Sequence, residues 1–154
     1  MTRILSTPIG ALALTAHAGV LTAIRFGTSG TVSSPDDISA ADSPVLTQAQ
    51  RQLDEYFTGV RKTFDLPLAP AGTAFQRAVW DALLTIPYGE VRTYADIARA
   101  LGRPGASRAV GMACHVNPIA IVIPCHRVVG KAGLTGYAGG LHIKEALLHL
   151  EGVL

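Results

Sequence analysis

The arrangement of apolar residues changes near residue 70, and this change constrains the fold more than any other feature of the chain. Before it, short apolar runs at Ile9–Thr15 and Val20–Phe26 flank an Ala-Gly pair, a pattern that predicts a β-hairpin. After it, apolar residues recur at helical spacing in several short segments. We therefore predict an α/β fold, with a small domain of antiparallel strands plus a helix over residues 1–70. A mainly helical domain is predicted over residues 71–154.

Further signals divide the first domain. Ser43 and Pro44 favour a helix start, as N-cap and first-turn proline, and Gly59 favours its end. The Ser-, Thr-, Gly- and Pro-rich stretch over residues 28–41 predicts a loop, and Phe64–Leu68 is compatible with a last strand. The linker to the second domain is predicted at three residues that break regular structure: Pro67, Pro70 and Gly72.

In the second domain, two short helices separated by a tight turn suggest a helix-turn-helix. Thr73 with Gln76 forms a capping box before the first helical segment, and Thr93 with Asp96 starts another. A Gly-containing turn at 102–105 then precedes a helix from Ala106 to about His115. Two packed helices of any small domain explain this pattern equally well. Beyond it we predict a buried strand over residues 119–123, a Gly-rich loop over 130–140 and a final helix over 142–150.

Composition excludes some classes of protein. With 49% hydrophobic and 16% charged residues, the 154-residue chain is expected to be globular rather than disordered. No apolar run reaches the roughly 18 residues needed to span a bilayer. Polar residues and a proline interrupt the apolar N-terminal stretch, so we expect no signal peptide, no membrane association and a cytoplasmic location. Residues 1–70 carry a net charge of −1 and residues 71–154 one of +3, which permits nucleic-acid binding without requiring it.

The two cysteines, Cys114 and Cys125, are expected to be thiols rather than a disulfide. Neither belongs to a CxxC pair or to a Cys/His set with the spacing of a zinc site, so we predict no metal and no cofactor. Helical spacing places Cys114 on the inward side of its helix with Ala106, Ala109 and Val110, where a core thiol is the favoured interpretation.

Cys125 lies in the string Ile-Pro-Cys-His-Arg-Val, directly after the predicted buried strand. Such a position would hold the cysteine rigidly, and an adjacent His126 and Arg127 can favour the thiolate, which is the nucleophilic form. A Cys-His pair alone is weak support for catalysis.

The whole string, with its flanks, resembles the O6-alkylguanine-DNA alkyltransferase family. The resemblance covers about residues 73–152, in matching order and spacing, and is loose over residues 1–70. The matching stretches are 86–94, Arg108-Ala-Val-Gly111, Asn117-Pro118, 123–129, Tyr137-Ala-Gly-Gly140 and 144–151.

The resemblance implies a set of catalytic roles. Cys125 would accept the alkyl group, His126 would take its proton through a water molecule, and Glu151 would orient His126. Asn117 would hold the loop that bears the cysteine, although a simple turn residue before proline is an equally good interpretation. Tyr94 would donate a hydrogen bond to the leaving guanine, or else be only a first-turn residue with a buried ring. Because a thioether is not hydrolysed, the protein would be consumed after one transfer.

The resemblance also implies how double-stranded DNA would be bound, by a protein expected to be a monomer. The damaged base would leave the stack, Arg108 would fill the gap, and the helix over residues 106–115 would dock in the minor groove. The residues expected at the DNA are Arg108, Ala109, Gly111, Met112, His115 and Thr93. Those expected to line the substrate pocket are Tyr137, Ala138, Gly139 and Val128.

Some positions depart from the family's pattern, and other functions compete. Met112, Cys114, His115 and Val116 replace residues that are often smaller or differently polar in the family, and Ala138 stands where some relatives have a hydroxyl. A cysteine hydrolase is a rival, but a base directly after the nucleophile is unusual for that class. A non-enzymatic helix-turn-helix regulator would not need Cys125, and the family's inactive branch lacks it.

Overall fold

The structure is a computed structural model that describes residues 2–27, 42–131, 133, 134, 137 and 139–154. The loop predicted over residues 28–41 and the pocket residue Ala138 lie outside these described residues. The chain forms two compact units, Met1–Ala71 with Pro118–Ala120, and Gly72–Asn117 with Ile121–Leu154. No described helix has both the length and the apolar character needed to cross a membrane.

The first unit contains an antiparallel sheet of three strands, in the order β1 (Thr2–Thr7), β2 (Gly10–His17) and β3 (Val20–Phe26). The predicted hairpin is therefore confirmed as β2 and β3, and β1 adds an edge strand. Ala18 and Gly19 turn the chain between β2 and β3 with φ angles of 52° and 81°. Positive φ at both central residues suits a two-residue hairpin turn, because its twist matches that of the strands.

One long helix, α1 (Asp42–Phe57), packs against this sheet. Its buried residues include Val45, Leu46, Ala49 and Leu53, which lie on one face at helical spacing. The strand predicted at Phe64–Leu68 is not formed. Only Leu68 makes an isolated parallel bridge, to Leu21. Instead, the buried Gln52 side chain holds this segment by accepting from Asp65 N at 2.9 Å and donating to Asp65 O at 3.0 Å.

The second unit is built from short helices, as predicted. They are α2 (Ala74–Leu83), α3 (Tyr94–Ala100), α4 (Ser107–His115) and α5 (Leu141–Leu150). Both predicted capping boxes are present, at Thr73 with Gln76 and at Thr93 with Asp96. Two-residue strands β4 (Arg92–Thr93) and β5 (Val128–Val129) pair in parallel. The α/β fold class is therefore confirmed, with the sheet in the first half and a mainly helical second half.

Residues 119–123 are buried, as predicted, but they do not form the predicted strand. Ile24 in β3 donates through its N–H to Pro118 O at 2.9 Å and accepts from Ala120 N at 3.1 Å, which assigns residues 118–120 to the first unit. From Ile121, whose φ of 71° is unusual for a β-branched residue, the chain turns rather than extends. This buried segment leads through Pro124 to Cys125.

Candidate active site

Cys125 is the first residue of a 3-10 turn (Cys125–Arg127) and is only 6% exposed. Its Sγ accepts a hydrogen bond from Asn117 Nδ2 at 3.2 Å, and the same nitrogen donates to Ile123 O at 2.8 Å. Asn117 follows the C-terminal end of α4, and its backbone N–H donates to Cys114 O at 3.3 Å. The side chain of Asn117 therefore ties the end of α4 to the segment that carries the thiol.

His126 and Glu151 meet in the interior, with no exposed side-chain surface on either residue. His126 Nε2 lies 2.7 Å from Glu151 Oε2. Arg127 also binds this carboxylate, through Nε at 2.8 Å and a terminal nitrogen at 3.1 Å. A two-point arginine contact fixes both the position of the carboxylate and its ionised form. Glu151 is thus held rigidly as the hydrogen-bond acceptor of His126.

Arg127 itself is anchored on three sides. Its remaining terminal nitrogen donates to Ile86 O at 2.7 Å, and its guanidinium lies 5.8 Å from the centre of the Tyr88 ring. Tyr88 Oη in turn donates to Leu150 O, one residue before Glu151. The turn after α2 is therefore connected to the end of α5 around the buried charges.

Burial sets the protonation state of the reactive pair. It raises the pKa of the Cys125 thiol, and the opposing effects of Asn117, Lys144 and Tyr137 are smaller. It likewise lowers the pKa of His126 by more than the neighbouring Glu151 raises it. Both groups are therefore neutral near pH 7. The effect of an adjacent His and Arg in favour of the thiolate is outweighed here, because Arg127 is bound to Glu151 and burial of the thiol raises its pKa.

A neutral His126 has one nitrogen left to accept a proton. With Nε2–H donated to the ionised Glu151, the lone pair of the imidazole is on Nδ1. Nδ1 is buried and has no hydrogen-bond partner among the described residues. The arrangement can therefore serve as a general base whose protonated form Glu151 would stabilise.

A cavity of about 500 Å³ opens onto the thiol. Its described lining consists of Tyr94, Gly111, Met112, Cys114, His115, Cys125 and Tyr137. The sequence placed six of these residues in the site, and the structure brings them together. Cys114 is the seventh: it is buried, as predicted, and it also reaches the cavity wall, which the core interpretation did not include.

Other predicted site residues lie outside this lining. Val128 is fully buried in β5, and its carbonyl accepts from Lys144 Nζ at 2.7 Å. Gly139 is half-buried in the segment before α5, and Thr93 caps α3 by accepting from Asp96 N at 3.1 Å.

The outward face of α4 differs in detail from the prediction. Arg108, Met112 and His115 are exposed, as expected. Ala109 was predicted to face inward but is exposed. Gly111 was predicted to face outward but is half-buried, and a Cβ at this position would lie 3.9 Å from the Tyr94 ring. The inward face consists of Val110, Ala113 and Cys114, and Trp80 Nε1 donates to the Ala113 carbonyl at 2.8 Å.

Comparison with known proteins assigns the family. Residues 74–153 match the DNA-binding domain of 6-O-methylguanine DNA methyltransferase, and residues 2–70 match its ribonuclease-like domain. The chain belongs to the 6-O-methylguanine DNA methyltransferase family. It is accordingly an enzyme of the methylated-DNA–protein-cysteine methyltransferase class, as the resemblance implied.

Individual relatives match along nearly the whole chain. A methylated-DNA–protein-cysteine methyltransferase of Methanosarcina acetivorans is 50% identical over 150 residues, covering 97% of this chain and 96% of the relative. The protein of the same name from Mycobacterium bovis is 49% identical over 150 residues, covering 97% and 90%. The crystal structure of Mycobacterium tuberculosis OGT in complex with DNA superposes with a TM-score of 0.86 at 46% identity, covering 97% and 91%.

Two buried residues of the site were not singled out from the sequence. Arg127 was noted only as a neighbour of the cysteine, not as the partner of Glu151. Lys144 is 1% exposed, and burial lowers its pKa although both cysteines raise it. Its place could have been found by helical spacing, since Lys144 falls among Ile143, Leu147 and Leu148 on the inward face of α5.

Proposed function

We propose that this protein repairs O6-alkylguanine in double-stranded DNA by a single, irreversible transfer of the alkyl group to Cys125. The observation that carries the proposal is the cavity lined by the buried thiol of Cys125, whose neighbour in the chain, His126, is bound to Glu151 in the interior. Its chemistry matches the name of the family, in which a protein cysteine is the methyl acceptor.

The reaction begins with a neutral thiol, so a base is required. His126 takes the Cys125 proton through a water molecule, and the ionised Glu151 stabilises the imidazolium that results. Sγ attacks the alkyl carbon, the new S–C bond forms, and the C–O6 bond breaks. The electron pair of the broken bond remains on the guanine, which is then protonated by the His126 imidazolium, so that the thiol proton ends on the leaving guanine. Tyr94 donates a hydrogen bond to the leaving guanine, and Tyr137 lies beside the guanine oxygen.

The product explains why one transfer is final. A thioether is not hydrolysed by a water molecule that a histidine activates, unlike the thioester of a cysteine hydrolase. The same three residues that would support turnover on an ester therefore stop after one alkyl group. We expect a monomer in the cytoplasm that is consumed in stoichiometric amount.

Burial of the thiol also requires the base to move. At 6% exposure, Cys125 is out of reach of a base that remains stacked in a duplex. The damaged nucleotide therefore rotates out of the helix, at a cost of a few kcal/mol. We assign Arg108 to the gap that it leaves and the exposed face of α4 to the minor groove, with Thr93 near the backbone. The crystal structure of a relative in complex with DNA supports DNA as the partner.

Mass spectrometry tests the proposal directly. The protein is mixed with an excess of duplex containing one O6-methylguanine, beside Cys125→Ser and Cys114→Ser variants. We expect one methyl group per protein, on the peptide that contains Cys125, in the parent and in Cys114→Ser but not in Cys125→Ser. Repair of more than one lesion per protein would refute the single transfer. Methylation of Cys114 instead would refute the assigned acceptor.

A further inference from the structure

The α4 helix carries an exposed stripe that combines one cation with two apolar side chains. Arg108 and Met112 in α4 and Val116 at its C-cap are spaced four residues apart, so they lie above one another on one face. Met112 is 62% exposed and Val116 is 44% exposed, which makes them two of the large hydrophobic residues left in contact with solvent. Isolated exposed apolar residues are common, but two on one face beside a cavity indicate a contact surface.

Met112 is the member of the stripe that reaches the cavity. It lines the cavity together with Cys125, whereas Arg108 and Val116 are not among the described lining residues. Since Met112 is largely exposed and Cys125 is 6% exposed, Met112 stands at the mouth and the thiol at the buried end. Any nucleotide that enters the cavity from the α4 side therefore passes Met112.

We propose that Met112 is an apolar wedge that inserts between base pairs next to the nucleotide held in the cavity, a role additional to that of Arg108. The proposal rests on the function proposed above. Apolar side chains, methionine among them, are inserted between base steps by proteins that bind the minor groove and unstack DNA. Methionine suits this position because its unbranched, polarisable side chain adapts to an irregular gap.

Helix geometry makes the two insertions compatible. Residues four apart are separated by about 6 Å along a helix axis. Successive base pairs are about 3.4 Å apart. Arg108 and Met112 can therefore contact different base steps, with Met112 nearer to the extrahelical nucleotide because it borders the cavity.

The two residues should respond differently to salt. A cation that enters the duplex neutralises phosphate charge and releases counterions, so its contribution to binding falls as salt rises. The contribution of an apolar wedge comes from burial and is nearly independent of salt concentration. The slope of affinity against salt concentration therefore distinguishes Met112 from Arg108.

The first test measures binding at equilibrium in a Cys125→Ser background, where transfer cannot occur. The duplex contains O6-methylguanine with a neighbouring 2-aminopurine, whose fluorescence rises when it is unstacked. We expect Met112→Ala to weaken binding about tenfold, to reduce the fluorescence and to leave the salt slope unchanged. Met112→Leu should restore both signals, and Arg108→Ala should lower the slope. Leu84→Ala is the matched control, because Leu84 is an exposed apolar residue at the C-cap of α2. Parental affinity and fluorescence in Met112→Ala would overturn the proposal.

The second test uses the protein with Cys125 intact and two substrates, the same lesion in a duplex and the free O6-methylguanine base. A wedge acts only on stacked DNA, so Met112→Ala should lower the ratio of the duplex rate to the free-base rate about tenfold. An equal loss on both substrates would overturn the proposal and show that Met112 is a wall of the cavity. If the parent accepts no methyl group from either substrate, the proposed function fails, and the binding test alone decides the role of Met112.

Discussion

Replacing Glu151 by glutamine should separate the contribution of the buried charges to stability from their contribution to catalysis. The substitution keeps the shape of the side chain but removes the charge that Arg127 contacts at 2.8 and 3.1 Å. Arg127 is 6% exposed and would keep an uncompensated charge in the interior. Breaking a buried pair in this way costs about 3–5 kcal/mol. For a chain of this size the loss corresponds to a melting temperature lower by about 6–20 °C.

The same substitution should slow methyl transfer by at least about a hundredfold, because the His126 imidazolium loses the negative charge that stabilises it. Both effects can be measured, by urea unfolding at pH 7 and by single-turnover transfer at a temperature where each variant is folded. Adding Arg127→Met to Glu151→Gln removes the orphaned charge, so the double variant should regain about half of the lost stability. It should not regain the rate. Recovery of the rate in the double variant would refute the role of Glu151 in supporting His126. A Glu151→Gln variant within about 1 kcal/mol of the parent would refute the stability argument.

Three further predictions follow from individual contacts. Thr73→Ala removes the N-cap of α2 and should lower the free energy of unfolding by about 1 kcal/mol, with Thr73→Ser as the control that keeps the cap. Trp80→Phe leaves the buried Ala113 carbonyl without its indole donor and should cost about 1–3 kcal/mol in urea unfolding. Burial raises the pKa of Cys114 to about 12, so the folded state favours the neutral thiol. The contribution of this thiol to the free energy of unfolding is fully present below the pKa of the unfolded chain, near 9, and is lost as the pH rises towards 12. In a Cys125→Ser background, Cys114→Ala should therefore flatten the fall in stability between pH 9 and 11 by about 1.4 kcal/mol per pH unit. If the free energy of unfolding fell equally with pH in both proteins, the raised pKa of Cys114 would be refuted.

Elements governed by neighbouring residues could be predicted from the sequence. The turn at Ala18-Gly19 and the capping boxes at Thr73 and Thr93 involve residues at most three positions apart, so their signals are visible in a short window. The strand predicted over residues 119–123 shows the limit of such a window. An apolar run indicates burial correctly, but burial alone does not distinguish an extended strand from a buried turn.

The sequence by itself indicated the family and predicted Cys125 as the nucleophile, together with the residues that could serve it, because these inferences depend on residue type and spacing. The tertiary structure decided the state in which they are held. Arg127 and Glu151 are 24 residues apart, and only folding makes them a pair. The neutral forms of Cys125 and His126, the buried Lys144 and the place of Cys114 in the cavity wall also depend on what surrounds each group. Desolvation and long-range contacts are properties of the packed interior, and no local pattern in the chain records them.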